Sequence, residues 1–574
     1  MKKVFAFILT IFVFFNSYAQ NASIPEHADF WSEYPNEALA DFLVSKMSDE
    51  ELLAQIFMFG WAGEEPSALL NQWVSDRGLG SVKVFGWNTN NTELVAKSIA
   101  SLQERSQQRR YKIPLFVATD QEGGWIRHVK GDTSETPGNM AIGASQYPVD
   151  AYYSAYYISR EIKALGINMN FAPTIDLYTN HDSSVISSRS FGEDPEFVGQ
   201  LGSAFVAGSM AAGVIPTAKH FPGHGDTSAD SHVKLPGVYI DYDAAEKREL
   251  VPFKYLISQN VPAIMSGHLL YPRIDADPAS LSRTWLNDIL REKLHFSGLI
   301  ITDDMMMQGA WGYAGNSSKA FEMAILAGND IILSSRTAEL DERLWTLNLA
   351  NIKENPDFRK IVESAARRVI LTKLTYFKNG NAAPLYPEIA RLKDQIPDKE
   401  GQKFFLSQAC RAITLYKKGD FPYKRASSDR LLVVGPADTF PNENNLSYHV
   451  ESEFFEEAKK RYGEFAYYKI NFDGLGPVGI DWNGNQLETM ANNYDTIIFY
   501  VPNTEGAQIA KRLSRSGKRV IIMSALTPVP VLSGFDFADT ILFGYSYSPY
   551  TFKALFSALA GDFEPQGKLP LNVK

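Results

Sequence analysis

One short segment of the chain concentrates side chains that can give and take protons. Residues 219–232 hold three histidines and two aspartates, although the whole chain of 574 residues has only 9 histidines. The segment is also rich in glycine and follows the mainly apolar run 213–218. Glycine in a loop loses conformational entropy on folding and buries no side chain, so packing alone does not explain this composition. The segment therefore indicates a functional site, either a metal cluster or an acid/base loop.

The surroundings of the histidines favour one of these two chemistries. His220 and His224 are four residues apart, which is the spacing of zinc ligands on one face of a helix. A proline and two glycines lie between and after them and disfavour a helix, so the spacing loses its geometric meaning. Lys219 in front of the first histidine also disfavours a bound cation. We therefore expect acid/base chemistry in this loop, with no metal and no cofactor.

Four segments together resemble the signature segments of glycoside hydrolase family 3, in its β-N-acetylglucosaminidase branch. They are Lys-His-Phe-Pro-Gly-His-Gly at 219–225 with Asp-Ser-His at 230–232, Ile-Ile-Thr-Asp-Asp-Met at 300–305, Ala-Thr-Asp-Gln-Glu-Gly at 118–123, and Ser-Ser-Arg-Ser-Phe-Gly-Glu-Asp-Pro at 187–195. The resemblance extends from Met47 to Gly328 and, less specifically, to the C-terminus.

The resemblance implies three catalytic residues. It makes Asp303 the nucleophile that attacks the sugar, His232 the general acid/base, and Asp230 the partner of that histidine. Glycoside hydrolysis needs a proton donor at the leaving oxygen and a carboxylate at the anomeric carbon. An imidazole suits the first role because its ordinary pKa lies near neutrality, and a carboxylate beside it can hold its tautomer. Asp304 is expected to be a turn or cap residue, because neighbouring strand residues point to opposite faces.

The resemblance also implies a set of residues that hold the terminal sugar. Charged donors and acceptors suit hydroxyls, each of which can both donate and accept a hydrogen bond. The implied substrate-binding residues are Asp120, Arg189, Lys219, His220 and His224, together with Arg127 or His128. The last position departs from the family pattern, which has an arginine eight residues after the strand-end aspartate. His128 stands there and Arg127 precedes it, so either the loop shifts and Arg127 takes the role, or sugar recognition has changed.

Length and composition bound the class of protein. A chain of 574 residues exceeds what one hydrophobic core usually holds, so two folded domains are expected. Hydrophobic residues make up 45% and charged residues 21%, which excludes a disordered chain and a polytopic membrane protein. The net charge of −10 gives no indication of a nucleic-acid partner, and the expected partner is a carbohydrate. Cys410 is the only cysteine, so an intramolecular disulfide is excluded.

The N-terminus has the pattern of a secretory signal peptide. Met1-Lys2-Lys3 precede an apolar run, and small residues end at Ala19. The apolar run is too short to span a membrane comfortably, so we expect cleavage after Ala19 and a mature chain with no membrane span. The protein is therefore expected to be exported, to the periplasm or the outside of the cell.

Short apolar runs alternate with helix-like stretches, a pattern that favours parallel strands in an α/β fold. The runs are 81–85, 115–118, 169–172, 214–218, 263–266, 299–302 and 330–334. Asp120, His220 and Asp303 lie at or just past the ends of such runs, as do Asp176 and His268, for which a purely structural role is equally open. Closure of these strands into a (β/α)8 TIM-type barrel is what the family resemblance implies.

A second set of runs predicts a smaller α/β sandwich domain. Strand-like runs at 431–435, 496–501, 520–524 and 540–543 flank helix-like runs at 452–462 and 508–514. The predicted organisation is a signal peptide at 1–19, a barrel domain at 27–378, a linker at 379–400 rich in turn residues, and the sandwich at 401–574.

The expected function is that of an exported, retaining exo-β-N-acetylglucosaminidase. Its expected substrates are peptidoglycan fragments or chitooligosaccharides. Two other enzymes on the same scaffold stay open, a glycoside phosphorylase and a β-glucosidase. A non-catalytic glycan-binding protein is disfavoured because Asp230, His232 and Asp303 are all present.

Overall fold

The computed structural model describes residues 24–183, 185–227, 234–436, 450–470 and 485–572. The predicted signal peptide lies outside the described residues. So do Asp230 and His232, which fall in 228–233.

The first half of the fold is an eight-stranded parallel sheet that closes on itself. In chain order the strands of this region are β1 Phe57–Phe59, β2 Ser81–Lys83, β3 Phe116–Thr119, β4 Gln121–Gly123, β5 Ile126–Arg127, β6 Met169–Asn170, β7 Ile215–Phe221, β8 Ala263–Ser266, β9 Leu299–Thr302 and β10 Ile332–Ser334. The sheet has the order β10-β1-β2-β3-β6-β7-β8-β9, and β4 and β5 form a separate antiparallel hairpin. A parallel bridge between Ile301 and Ile331 brings β9 beside the start of β10, so the strands enclose a barrel.

Helices on the outside of the barrel connect these strands. They are α1 Asn36–Lys46, α2 Asp49–Gln55, α3 Ala68–Gln72, α4 Thr92–Gln107, α5 Asn139–Ser145, α6 Pro148–Ala164, α7 Pro195–Ala212, α8 Tyr242–Lys247, α9 Leu250–Ser258, α10 Gln308–Ala314, α11 Ser317–Ala327, α12 Arg343–Glu354 and α13 Pro356–Phe377. Two π-helical segments, Trp73–Arg77 and Thr284–Lys293, complete the ring. A capping box begins α2, because Ser48 Oγ accepts from Glu51 N–H and the Glu51 carboxylate accepts from Ser48 N–H.

The second half of the fold is a six-stranded mixed sheet with helices around it. After the short helix α14 Leu392–Gln395 and the longer α15 Lys399–Ala412, its elements are β11 Thr414–Lys417, β12 Leu431–Pro436, α16 Val450–Tyr462, β13 Ala466–Ile470, α17 Asn485–Ala491, β14 Thr496–Val501, α18 Thr504–Lys511, β15 Arg519–Ser524, β16 Thr540–Phe543 and α19 Pro549–Ala560. The strand order is β11-β16-β15-β14-β12-β13, and only β11 runs antiparallel to its neighbour. The predicted α/β class, with a barrel followed by a smaller sandwich, is confirmed.

Burial on both faces explains why the barrel strands could be read from apolar runs. All residues of β2, β3, β7, β8 and β9 are buried, as expected of parallel strands covered by helices. Three strands of the two main sheets were missed, as were β4 and β5 of the hairpin. Only Ile56 separates β1 from α2, so no turn residues mark where the strand begins, and the edge strands β11 and β13 are partly exposed and carry polar residues.

The two halves pack on each other beside the loop that follows β6. Tyr178 and Ile186 of that loop belong to the hydrophobic cluster of the sandwich. The carbonyl of Pro570 accepts a hydrogen bond from Glu193 N–H at 3.2 Å, which ties the C-terminal segment to the same loop. In the described part of the chain, no helix is long and apolar enough to cross a membrane.

Candidate active site

Predicted site residues that the structure describes lie at the C-terminal mouth of the barrel. Asp120 follows β3, Lys219 and His220 lie near the end of β7, and Asp303 follows β9. In the ring of eight strands β3 and β9 are four positions apart, which places Asp120 and Asp303 on opposite sides of the mouth. A ligand at the mouth therefore lies between the aspartate of β3 and the aspartate of β9.

Two lysines bind Asp120. Lys219 Nζ lies 2.5 Å from Asp120 Oδ1, and Lys83, at the end of β2, forms an ion pair with Oδ2. Lys83 also lies over the ring of Phe85, with its nitrogen 4.2 Å from the ring centroid. Burial alone would raise the pKa of Asp120, but the two lysines hold it well below its ordinary value. Asp120 is therefore an anion that can accept hydrogen bonds.

Glu122 is a second buried carboxylate, only 1% exposed. Arg189 donates to both of its oxygens, from Nε at 2.9 Å and from Nη2 at 2.7 Å, and Lys219 Nζ lies 2.6 Å from Oε1. Burial opposes ionisation, yet Arg189 and Lys219 lower the pKa of Glu122 to about 2. Lys83, Asp120, Glu122, Arg189 and Lys219 thus form one connected network, here called the charge cluster.

Asp176 organises the two described histidines of the loop after β7. Its Oδ2 lies 2.7 Å from His220 Nδ1, and its Oδ1 accepts from His224 N–H at 2.6 Å. On its other side, His220 Nε2 lies 3.4 Å from Arg189 Nη2, which joins His220 to the charge cluster. Burial, followed by the charge of His220, lowers the pKa of His224 to about 4, so its imidazole is neutral near pH 7.

The loop after β7 fits against the loop after β6 only because of a glycine. A Cβ on Gly225 would lie 1.4 Å from the carbonyl oxygen of Leu177, so no other residue can stand there without moving the backbone. His224 Nδ1 and Thr227 Oγ1 lie 2.7 Å apart and close the turn that follows. The glycine-rich composition noted in the sequence is thus explained by close contact between backbones.

The hairpin of β4 and β5 separates the two candidates for the missing arginine. His128 N–H donates to Asp120 O at 2.9 Å, and His128 Nδ1 lies 3.5 Å from Asp120 Oδ2. Arg127 points the other way, as alternation along a strand requires, and donates to Thr133 O at 2.8 Å and to Glu135 at 3.0 Å. Burial is the main cause that lowers the pKa of His128 to about 4, with Asp120 opposing it.

Asp303 and Asp304 have different surroundings at the end of β9. Asp303 is half-buried at the mouth, and its N–H donates to Ser266 O at 2.9 Å. Asp304 Oδ1 accepts from Met306 N–H at 3.0 Å and from Ser335 N–H at 2.9 Å, which is the geometry of a turn residue. His268, fully buried, has its Nε2 3.0 Å from Asp304 O.

Asp230 and His232 belong to 228–233 and so lie outside the described residues; Thr227 is the last described residue before them. In the described ranges, no group of three or more His, Cys, Asp or Glu side chains could hold a metal ion.

Sequence reasoning missed two members of the charge cluster. Glu122 lies two residues after Asp120, so strand alternation puts both on one face, and that spacing was the available signal. Lys83 ends the fully buried strand β2 and is itself 5% exposed, which makes it a buried cation in need of a partner.

Comparison with known proteins assigns the family. The sequence profile of the glycosyl hydrolase family 3 N-terminal domain matches residues 48–371. The chain therefore belongs to glycosyl hydrolase family 3. Its relatives place it in the β-N-acetylglucosaminidase branch, which confirms the resemblance read from the motifs.

The relatives that support the branch are the following. Beta-hexosaminidase A of Pseudoalteromonas piscicida is 37% identical over 383 residues, which are 64% of this chain and 60% of that protein. A beta-hexosaminidase of Nitrosospira multiformis is 33% identical over 282 residues, which are 44% of this chain and 80% of that protein. The chain thus spans less than two thirds of the first relative.

Solved structures show the same architecture. A family 3 β-N-acetylglucosaminidase from Paenibacillus sp. matches with a TM-score of 0.81 and 27% identity, over 92% of this chain and 99% of that one. A β-glucoside phosphorylase matches with a TM-score of 0.78 and 21% identity, over 97% of this chain and 99% of that one, a likeness of fold alone.

Proposed function

We propose that the protein is a retaining exo-β-N-acetylglucosaminidase. The observation that carries this proposal is the charge cluster, which lies at the barrel mouth opposite Asp303 and contains Asp120, Arg189 and Lys219, three residues that the family resemblance assigns to sugar binding. The β-hexosaminidase names of its relatives support the choice of the N-acetylated sugar.

The charge cluster would bind the terminal sugar through its hydroxyls. Asp120 and Glu122 are ionised acceptors, and Arg189 and Lys219 are charged donors, so an array of hydroxyls finds both kinds of partner. Because these side chains already bind one another, they are held in place before the sugar arrives, and little conformational entropy is lost on binding.

In the proposed reaction, Asp303 attacks the anomeric carbon from one side of the sugar while His232 protonates the leaving oxygen. A covalent glycosyl-enzyme forms on Asp303 and the aglycone leaves. His232 then accepts a proton from water, which attacks the anomeric carbon, breaks the bond between the sugar and Asp303, and restores the β configuration. Asp230 holds the imidazole of His232 in the tautomer that this exchange needs.

His128, rather than Arg127, takes the position of the missing family arginine in this proposal. It lies beside Asp120, whereas the guanidinium of Arg127 is bound to Thr133 and Glu135. The neutral imidazole of His128 can donate or accept one hydrogen bond, where an arginine would bring a charge and a fork of donors. The sugar therefore meets a neutral hydrogen-bonding group at this position, where the family pattern would place a positive charge.

The natural substrates proposed are peptidoglycan fragments or chitooligosaccharides, met after export across the cytoplasmic membrane. The signal-peptide pattern of residues 1–19 supports export. N-terminal sequencing of the protein purified from its own cells would test this, since an intact Met1 would contradict cleavage after Ala19.

A panel of aryl β-glycosides that differ only at the second carbon of the sugar tests the activity. We expect hydrolysis of the N-acetylglucosaminide to exceed that of the glucoside by at least about a hundredfold in kcat/KM, since a site that binds the acetamido group rejects a sugar without it. Comparable rates on the glucoside would instead identify a β-glucosidase.

The stereochemistry of the first product tests the mechanism. Proton NMR early in turnover should detect the β-sugar, as a double displacement requires. An α-sugar would contradict the covalent intermediate, and a sugar 1-phosphate formed in phosphate buffer would identify the phosphorylase alternative.

A further inference from the structure

A buried carboxyl group lies directly behind the loop that leads to the acid/base residues. Glu249, between α8 and α9, is 1% exposed. Its Oε1 accepts a hydrogen bond from Arg248 Nε at 2.7 Å and forms an ion pair with Arg248 Nη2 at 2.6 Å. Its Oε2 is buried and has no hydrogen-bond partner among the described residues. A buried oxygen left without a partner costs free energy, so its position calls for an explanation.

Glu249 touches the loop after β7 by direct packing. A Cβ on Gly223 would lie 2.9 Å from Glu249 Oε2, so the backbone of this turn rests against the carboxyl group. From another direction the hydroxyl of Tyr271 donates to Gly223 O at 2.7 Å. Glu249 and Tyr271, from two different segments of the barrel, thus both contact Gly223. The contact with Glu249 is possible because glycine has no side chain.

Glu249 also acts on the loop through Arg248. The same guanidinium that binds Glu249 reaches Asp226 Oδ2 at 2.7 Å. Arg248 therefore bridges a buried carboxyl group in the barrel wall and a carboxylate in the loop. Asp226 precedes Asp230 by only four residues. A chain of four residues spans at most roughly 14 Å, so the position of Asp226 limits where Asp230 can lie.

We propose that Glu249, acting through Arg248 and the Gly223 turn, is a positioning residue for the acid/base loop. It fixes the point from which the chain departs toward Asp230 and His232, and so controls how well His232 protonates the leaving oxygen. This inference rests on the proposed function, in which His232 is the acid. Glu249 itself has no contact with the sugar in this scheme.

The charge of this carboxyl group changes near neutral pH. Burial is the main cause that raises the pKa of Glu249 to about 7; Arg248 opposes it, and Asp226 and Asp176 add to it. The hydroxyl of Tyr271 also faces the group, but burial raises its pKa well above the ordinary value, so it stays neutral. Below pH 7 the carboxyl is protonated and accepts from the Arg248 guanidinium as a neutral group; above pH 7 it is a carboxylate and forms an ion pair with Arg248, which is stronger.

Because the charge of Glu249 changes near pH 7, the proposal predicts in which direction pH alters the activity of a variant that cannot ionise. Glu249→Gln has the shape of the protonated form and cannot ionise. Its kcat/KM on a substrate that needs the acid should therefore equal that of the wild-type protein at low pH. As the pH rises through 7, the wild-type carboxyl becomes charged and binds Arg248 more strongly, so the kcat/KM of the variant should fall below that of wild type. A residue that only fills space would give a difference that does not depend on pH.

The experiment compares kcat/KM on two N-acetylglucosaminides that differ in their need for the acid. Diacetylchitobiose has a poor leaving group that must be protonated, whereas the nitrophenolate of 4-nitrophenyl N-acetyl-β-glucosaminide departs without a proton. On the disaccharide, Glu249→Gln should stay within about twofold of wild type near pH 5.5 and lose about tenfold near pH 8.5. On the nitrophenyl glycoside it should stay within about twofold at both pH values.

Two further variants control for folding and for the route of the effect. Glu246→Gln alters a carboxylate of α8 that is 41% exposed and should match wild type throughout. Asp226→Asn keeps the bond between Arg248 and Glu249 but weakens the link to the loop. It should lose activity on the disaccharide selectively at both pH values, and unfolding midpoints of all variants would be recorded alongside.

The outcomes separate this inference from the proposed function. Equal losses on the two substrates, a loss that does not change with pH, or no loss at all in Glu249→Gln would overturn the positioning role while wild-type activity stands. A wild-type protein that hydrolyses neither N-acetylglucosaminide would instead refute the proposed function, before any variant is compared.

Discussion

Replacing Glu122 by glutamine tests whether the charge cluster is a preformed, ionised network. Glu122→Gln keeps the shape of the side chain but removes the negative charge that Arg189 and Lys219 share. The pKa of Glu122 falls from 4.5 to about 2, and one pKa unit corresponds to about 1.4 kcal/mol, so ionisation contributes roughly 3 kcal/mol to folding. Loss of one partner of a buried ion pair costs about 3 to 5 kcal/mol, which agrees with that figure.

The free energy of unfolding, measured by urea denaturation at pH 7, should therefore fall by roughly 3 kcal/mol in Glu122→Gln. The folded-state pKa of this carboxyl is depressed, so its contribution is complete above the unfolded value of about 4.5 and is lost as the pH falls toward 2. The difference between wild type and variant should be constant from pH 7 to 5 and shrink below pH 4.5.

A matched change at the surface provides the control. Glu93→Gln removes a carboxylate from an exposed ion pair with Lys97, so it should leave stability almost unchanged. A loss of less than about 1 kcal/mol in Glu122→Gln, or a loss that persists unchanged at pH 3, would refute the view that the charge on Glu122 supports the cluster.

Four other outcomes are expected. Asp303→Asn should abolish turnover of every glycoside, since no glycosyl-enzyme forms; activity within about tenfold of wild type would remove Asp303 from the role. His232→Ala should lose far more kcat/KM on diacetylchitobiose than on the nitrophenyl glycoside, and equal losses would show that it is not the acid. His128→Ala should cost about 1 to 2 kcal/mol in kcat/KM, whereas Arg127→Ala should act mainly on stability; the reverse would place the arginine at the sugar. Lys373, fully buried, has a pKa that burial lowers well below its ordinary value, so the wild-type protein should gain stability relative to Lys373→Met as the pH rises from 7 to 10, and denaturation at both pH values checks this.

Most of the barrel could be predicted because its strands are buried on both faces. Such strands appear in the sequence as short runs of apolar residues, and seven of the eight were found that way. β1 was not, because only Ile56 separates it from α2 and no glycine or proline marks the boundary between the helix and the strand. In the sandwich, β11 and β13 lie at the edges of the sheet, where partial exposure permits polar residues and weakens the pattern.

The sequence predicted the positions of individual site residues but not the ion pairs that join them. The strand-end positions of Asp120, Lys219 and Asp303 follow from apolar runs and motifs. The ion pairs of Lys83 and Glu122 do not, because they join residues that are far apart in the chain, and it is the strand order β2-β3-β6-β7 that brings them to one side of the mouth. The division of roles between Arg127 and His128 likewise depended on the register of a two-residue strand.

The position of the charge cluster also bears on where a glycan chain can be cut. Lys83, Asp120 and Glu122 are each less than 8% exposed, and they close the barrel mouth on the side away from Asp303. The hydroxyls of a sugar bound here would contact ionised side chains that already form ion pairs with one another. Another sugar attached on that side would have to displace these ion pairs, and leaving buried charges unpaired costs several kcal/mol. This arrangement supports the proposed removal of one terminal sugar at a time.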